Sequence, residues 1–144
     1  MAENATTIAQ TVLSTDPDIT GIYMAGESAG LTGVLAAMER LGKLHKVGEE
    51  GHITIVGIDG TPFAFEKIKE GYVDAAIAQP LDGDVKWALY YLKEAMEGRL
   101  PQAGPTDHGS EIVAREDGHL IDLLPATTVE LHNVDTPNLW GNLE

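Results

Sequence analysis

The sequence predicts an α/β fold in which a parallel β-sheet lies between two layers of helices. The main observation is the stretch over residues 52–79, HITIVGIDGTPFAFEKIKEGYVDAAIAQ, where two apolar strands flank one helix. The run over residues 53–58 shows no polar alternation, which is typical of a strand buried on both faces of a parallel sheet. A further strand–helix pair precedes this stretch. We therefore expect a single three-layer α/β/α domain over residues 1–144.

The predicted elements follow one another in a regular order. A short first helix ends before Pro17, because the residue before a proline avoids the helical region. Thr61 occupies an N-cap position with Pro62 after it, and Gly71 is a C-terminal stop. In chain order we predict a helix over 4–14, a strand over 19–25, a helix over 29–41, a strand over 53–58, a helix over 62–71, a strand over 75–78 and a helix over 84–97.

The pattern is weaker after residue 98. The chain there is rich in proline, glycine and polar residues, with short β-like segments over 112–114, 120–124 and 129–131. The three stronger strands alternate with helices, and this order favours a parallel sheet with right-handed crossovers.

Composition excludes several classes of function. The 144 residues, 43% of them hydrophobic, suffice for one globular domain. The net charge is -14, from 23 acidic and 9 basic residues, which argues against nucleic acids and against anionic membrane surfaces as partners. No apolar run approaches the length of a membrane span, so we expect no membrane insertion. The absence of cysteine excludes disulfides and thiolate chemistry.

Both chain ends read as those of a piece of a longer protein. Met1 runs straight into a polar segment, and Leu143-Glu144 resembles a cloning-site remnant. No signal peptide is visible, but in a piece of a longer protein this does not indicate where the parent protein is located.

Three polar residues close the predicted strands. Asp59 and Gln79 end neighbouring strands, and ligands of open parallel sheets bind outside the carboxyl ends of the strands. A carboxylate there can accept two hydrogen bonds from hydroxyls, about 1.5–3 kcal/mol each, while an amide both donates and accepts. Glu27 closes the preceding strand as a third rim residue. Asp59 could instead cap the following helix, but Thr61 is better placed for that.

Residues 26–30 read GESAG, a G-x-S-x-G sequence between a strand and a helix. This is the context of a hydrolase nucleophile, which would be Ser28 with Asp59 as the triad acid. The histidines that follow in the required order are His108, His119 and His132. No HGG-type oxyanion segment occurs and the sheet is short for that fold, so we expect no enzyme. Small residues also permit a tight turn, with Ser28 as a polar group that faces a ligand.

The remaining residues suggest no cofactor. The five histidines lack metal-ligand spacing, and neither a P-loop nor a G-x-G-x-x-G motif occurs, so we expect neither metal nor nucleotide. Trp87 and Tyr91 lie on an apolar helical stripe and read as packing residues. Trp140, in the polar segment TPNLWGN, either docks on the sheet or hangs free.

Taken together, PDITGIYMAGESAG, VGIDGTP and IKEGYVDAAIAQP resemble the type I periplasmic sugar-binding proteins of ABC transporters, of the ribose-binding type. The likeness covers residues 4–98 and continues more loosely to the end. It implies that the chain is an incomplete doubly wound lobe, a fragment of the second (C-terminal) lobe. It also implies a periplasmic parent, exported or lipid-anchored, that delivers its solute to an ABC transporter permease.

The resemblance assigns Asp59 and Gln79 as ligands of sugar hydroxyls. A third ligand in ribose-binding relatives is an asparagine, which this chain replaces with Glu27 or Ser28. A sugar or polyol is therefore implied, but its identity is not. Related transcriptional repressors share the fold, so an effector-binding domain is the alternative, although they tend to carry a proline-containing segment where this chain has residues 68–71.

The resemblance also implies missing partners. The helix over 84–98 would pack on the other lobe in the intact family, and the strand over 19–25 would have a further neighbour. An unpaired sheet edge and an exposed apolar stripe promote association, so we expect the fragment to form a homo-oligomer. With half of a cleft, we expect its own sugar binding to be weak.

Overall fold

The computed structural model describes residues 2–143. Met1 and Glu144, on which the expectation about the chain ends partly rests, lie outside these residues. The chain folds as two compact units, one formed by residues 2–79 and 128–143 and the other by residues 80–127.

The secondary structure follows the predicted order up to the fourth helix. The elements are α1 (Ala2–Thr15), β1 (Gly21–Met24), α2 (Glu27–Arg40), β2 (Thr54–Asp59), α3 (Pro62–Glu70), β3 (Ala75–Ala78), α4 (Leu81–Met96), β4 (Gly104–Pro105), β5 (Glu111–Ala114), β6 (Leu120–Leu123), β7 (Thr127–Val129) and a 3-10 turn (Trp140–Asn142).

The first unit contains a four-stranded sheet in the order β1-β2-β3-β7. β2 pairs in parallel with β1 on one side and β3 on the other, which places Asp59 opposite Ala78. This confirms the predicted parallel α/β sheet. The sequence indicated β7 only as an isolated β-like segment and gave no position for it. In the structure it adds a fourth strand beside β3.

The core of this unit forms where the apolar faces of its helices meet the sheet. Its largest fully buried side chains are Leu13, Leu31, Met38, Ile55, Phe65, Ile68, Val129 and Val134. α1 and α2 come close together at Gly33, where a Cβ would lie 2.9 Å from the backbone nitrogen of Thr6. A larger residue at that position would push the two helices apart.

The predicted ends of α3 are confirmed. The hydroxyl oxygen of Thr61 accepts a hydrogen bond from the backbone N–H of Ala64 at 3.1 Å, and Pro62 occupies the first turn. Gly71 ends the helix with φ 85°, a left-handed conformation that glycine adopts without steric cost. The boundaries of α3 therefore follow from local chemistry alone.

The second unit consists of α4 and the antiparallel sheet β4-β5-β6. The rings of Trp87 and His108 stack with 3.5 Å between centroids. Asp122 accepts hydrogen bonds from Tyr91 at 2.9 Å and from His108 at 2.8 Å. Burial and the bond to Asp122 raise the pKa of Tyr91 to about 12. Trp87 and Tyr91 thus serve to pack this unit.

Much of the apolar stripe of α4 remains uncovered. Four of its side chains are between 60% and 81% exposed, namely Val85, Leu89, Leu92 and Met96.

No helix in residues 2–143 combines the length and apolar character that a membrane crossing requires.

We predict that Val129→Ala lowers the free energy of unfolding by about 2 kcal/mol, because this β7 side chain is fully buried and its loss leaves a cavity. Val47→Ala, which removes the same atoms from a side chain that is 53% exposed, should change it by less than about 0.5 kcal/mol. Urea denaturation measures both values. Equal effects would contradict the position of β7 in the core.

Candidate functional site

Polar residues cluster at the carboxyl ends of the three parallel strands. Asp59 is the last residue of β2, Gln79 follows β3, and Ser28 lies at the start of α2 just after β1. Ser28 is exposed, while Asp59 and Gln79 are half-buried. We refer to Ser28, Asp59 and Gln79 as the rim cluster.

The Asp59 carboxylate is the centre of the rim cluster. Its Oδ2 accepts hydrogen bonds from the hydroxyl of Ser28 at 2.7 Å and from the backbone N–H of Ser28 at 3.2 Å. Its Oδ1 accepts one from Nε2 of Gln79 at 3.2 Å. Asp59 and Gln79 are therefore neighbours, as the strand ends predicted, and Ser28 joins them.

The backbone of Asp59 is strained. Its φ of 137° lies in a region that residues other than glycine rarely adopt, at a cost of about 1–3 kcal/mol. Gly60 follows with φ 77° and lies so close to β3 that a Cβ would fall 2.6 Å from the Cα of Ala78. The indole Nε1–H of Trp140 donates to the backbone oxygen of Asp59 at 2.6 Å. The strain must be balanced by contacts such as this one.

Glu27 lies beneath the rim and not on it, with only 3% of the residue exposed. Its Oε2 accepts hydrogen bonds from the backbone N–H groups of Gly60 and Thr61, both at 3.1 Å, and from the Thr61 hydroxyl at 3.3 Å. The side chain fits because residue 57 is glycine, where a Cβ would lie 2.6 Å from Oε1. These contacts make Glu27 a support for the β2–α3 loop; a ligand contact by Glu27 stays a prediction.

The surroundings of Glu27 disfavour its charged form. Burial raises the pKa of this carboxyl above its usual value, and the negative charge of Asp59 acts in the same direction. The hydrogen bonds from Thr61 and Gly60 oppose this shift without cancelling it. Oε1 is buried and has no hydrogen-bond partner among the described residues. The loop is therefore held by a carboxylate whose burial is only partly compensated.

The hydrogen bonds of Ser28 go to Asp59 and to no histidine within residues 2–143. His108 pairs instead with Asp122, and His132 pairs with Glu130. The serine is thus arranged as a polar neighbour of the Asp59 carboxylate. Across residues 2–143, no group of acidic and histidine side chains is arranged to hold a metal ion.

Trp140 is the member of this region that the sequence pattern could not assign. The sequence left open whether Trp140 packs on the sheet or hangs free. In the structure its indole lies beside Asp59 and donates a hydrogen bond to the backbone oxygen of that residue. One local signal existed, since Leu139 and Trp140 are apolar residues within a polar segment. Leu139 is in fact buried in the core of the first unit.

We predict that the effect of Glu27→Gln on stability depends on pH. Folding raises the pKa of Glu27 above 4.5, the value in the unfolded chain. The protonated Glu27 side chain therefore contributes stability below pH 4.5, and this contribution is lost as the pH rises through the pKa of the folded state. Glutamine does not titrate, so the variant should gain stability relative to the wild type as pH rises above 4.5. Urea denaturation from pH 4 to 8 measures the difference; a difference independent of pH would contradict the shift.

The comparisons with known proteins agree with this architecture. A solute-binding protein from Bacillus halodurans C-125 with bound myo-inositol matches with a TM-score of 0.69 and 20% identity, covering 95% of this chain and 39% of that one. A periplasmic solute-binding protein from Actinobacillus succinogenes 130z with bound D-allose matches with a TM-score of 0.68 and 20% identity, covering 93% and 38%. No curated protein matches.

An arabinose binding protein from Geobacillus stearothermophilus matches with a TM-score of 0.59 and 25% identity, covering 93% of this chain and 41% of that one. The chain thus spans about two fifths of the length of these structures. The fold is that of the type I periplasmic binding proteins, as the resemblance predicted. The model of the periplasmic binding protein domain matches residues 1–100, and the chain therefore belongs to the periplasmic binding protein family.

Proposed function

We propose that the chain is part of the solute receptor of an ABC importer and that its rim cluster binds a neutral sugar or polyol without catalysis. The observation that carries this proposal is the Asp59 carboxylate, held at the end of β2 beside one hydroxyl and one amide. A sugar hydroxyl can donate to the carboxylate and accept from the second N–H of the Gln79 amide in the same arrangement, while the Ser28 oxygen can accept from another hydroxyl.

The charge around the rim cluster favours a neutral ligand. The two nearest acids, Asp59 and Glu27, form none of the ion pairs found among the described residues. A phosphate or carboxylate on the ligand would face the Asp59 carboxylate without a paired cation, which costs free energy at a half-buried site. A hydroxyl-bearing ligand meets no such cost.

The rest of the receptor would come from a second lobe. Related structures are more than twice as long as this chain, and closure of two lobes around a ligand excludes water. The exposed stripe of α4 would pack on that lobe. The parent would work in the periplasm and deliver its ligand to a permease. The relatives described above are solute-binding proteins, so a repressor domain and an esterase gain no support from them.

We predict that the two-lobed protein binds a neutral sugar or polyol and that Asp59→Ala weakens this binding by about 10- to 1,000-fold, because one or two charge-assisted hydrogen bonds are lost. Isothermal titration calorimetry against a panel of sugars and polyols measures it. Asp18→Ala is the matched control, since Asp18 is exposed in the segment before β1. Unchanged affinity in Asp59→Ala would refute the role of Asp59.

The chain alone should self-associate. β1 is one of the two edge strands of the sheet, with Tyr23 67% exposed, and the α4 stripe lacks a cover among the described residues. Sedimentation at tens of micromolar, where weak interfaces are populated, should detect a dimer or larger species. A double variant with Leu89→Lys and Leu92→Lys places two charges on the α4 stripe and should weaken association. A folded monomer of the unmodified chain would contradict this expectation.

A further inference from the structure

We infer that Trp140 is a positioning residue of the ligand site: it sets the direction of the Asp59 carboxylate through the backbone of Asp59. This inference rests on the proposed function of the rim cluster. It extends the site to the segment over residues 139–142, which follows the last strand and lies far from Asp59 in the sequence.

The geometry places a single peptide group between two supports. The carbonyl oxygen of Asp59 accepts from the indole of Trp140 at 2.6 Å, and the N–H of the next residue, Gly60, donates to the buried Glu27 carboxylate at 3.1 Å. These are the two polar ends of one peptide plane. A plane held at both ends cannot rotate without breaking a hydrogen bond, so the strained end of β2 keeps one conformation.

The same carbonyl also accepts from the backbone N–H of Gln79 at 3.2 Å. Residues 59 and 79 are thus tied through both their main chains and their side chains. Trp140 adds the contact from outside the sheet. Without it, the Asp59 carbonyl keeps one donor, and the Asp59 carboxylate loses part of the framework that directs it to the rim.

The segment around Trp140 is docked by contacts of its own. Leu139 is buried in the core, and Asn142 donates through Nδ2 to the backbone oxygens of Val134 at 2.7 Å and Thr136 at 3.0 Å. Gly141 lies against Phe65, where a Cβ would fall 2.7 Å from Cε2 of that ring. Removal of the indole N–H therefore need not undock the segment, and the two effects can be separated by mutation.

The first test uses the two-lobed protein that contains the chain. Trp140→Phe keeps an aromatic ring but removes the donor, and we expect it to weaken sugar affinity by about 3- to 10-fold, the value of one neutral hydrogen bond. Ile68→Val is the control, because Ile68 is buried on α3 and belongs to the hydrophobic core, not to the rim cluster. Affinity is measured by calorimetry and the melting temperature in parallel.

The outcomes are distinct. Weaker binding in Trp140→Phe, with Ile68→Val unchanged at a similar loss of melting temperature, supports the inference. Unchanged affinity in Trp140→Phe overturns it. A loss of affinity that follows the melting temperature equally in both variants also overturns it, because the role of Trp140 would then be merely structural.

A second readout needs no ligand. In the amide spectrum of the chain, the signals of Ser28, Gly60 and Gln79 report the hydrogen bonds around Asp59. Trp140→Phe should shift all three. Trp87→Phe, which leaves Trp140 as the remaining tryptophan, identifies the indole signal of Trp140. Unchanged signals in Trp140→Phe overturn the inference.

A two-lobed protein that binds no sugar would refute the proposed function, and these signals would still test the role of Trp140.

Discussion

The parallel pairing of β2 with both of its neighbours determines where the polar groups of this protein lie. Because β1, β2 and β3 run in one direction, their carboxyl ends meet at one edge, and the register sets Asp59 opposite Ala78. Because Gln79 follows Ala78 in the chain, this register alone places Gln79 next to Asp59. A register shift of one residue would turn the side chain of Asp59 to the other face of the sheet and break up the rim cluster.

Stability and site geometry are opposed at Glu27. Burial disfavours the charged form of the Glu27 carboxyl and raises its pKa, and among residues 2–143 one of its oxygens has no hydrogen-bond partner, yet its other oxygen holds the backbone of Gly60 and Thr61. Gly57 provides the space that this arrangement needs. The protein thus keeps an acidic side chain in its interior to fix the β2–α3 loop. A preformed loop lowers the entropy that a ligand must overcome on binding.

The parts of the fold that were predictable from the sequence are those set by local chemistry. Strand composition, helical spacing and the Thr61–Pro62 cap depend on residues close in the chain. The docking of β7, the position of Trp140 and the inward direction of Glu27 depend on distant partners. Trp140 bonds a residue 81 positions away, and Glu27 bonds one 33 positions away. The apolar pair Leu139 and Trp140 in a polar segment signals burial but names no partner, so periodicity and capping rules could not predict these contacts.

The hydrogen bonds within the rim cluster also limit what half of a site can do. Both oxygens of the Asp59 carboxylate already accept bonds from Ser28 and Gln79, and an incoming hydroxyl exchanges with water at an acceptor position that these bonds leave open. In contact with water, such an exchange yields little net free energy. The gain grows when water is excluded, because charge-assisted hydrogen bonds strengthen as the local dielectric constant falls. A second lobe that closes over the rim would supply this exclusion. The rim cluster therefore orients the ligand through its hydrogen-bonding groups, and closure of the second lobe provides most of the binding free energy.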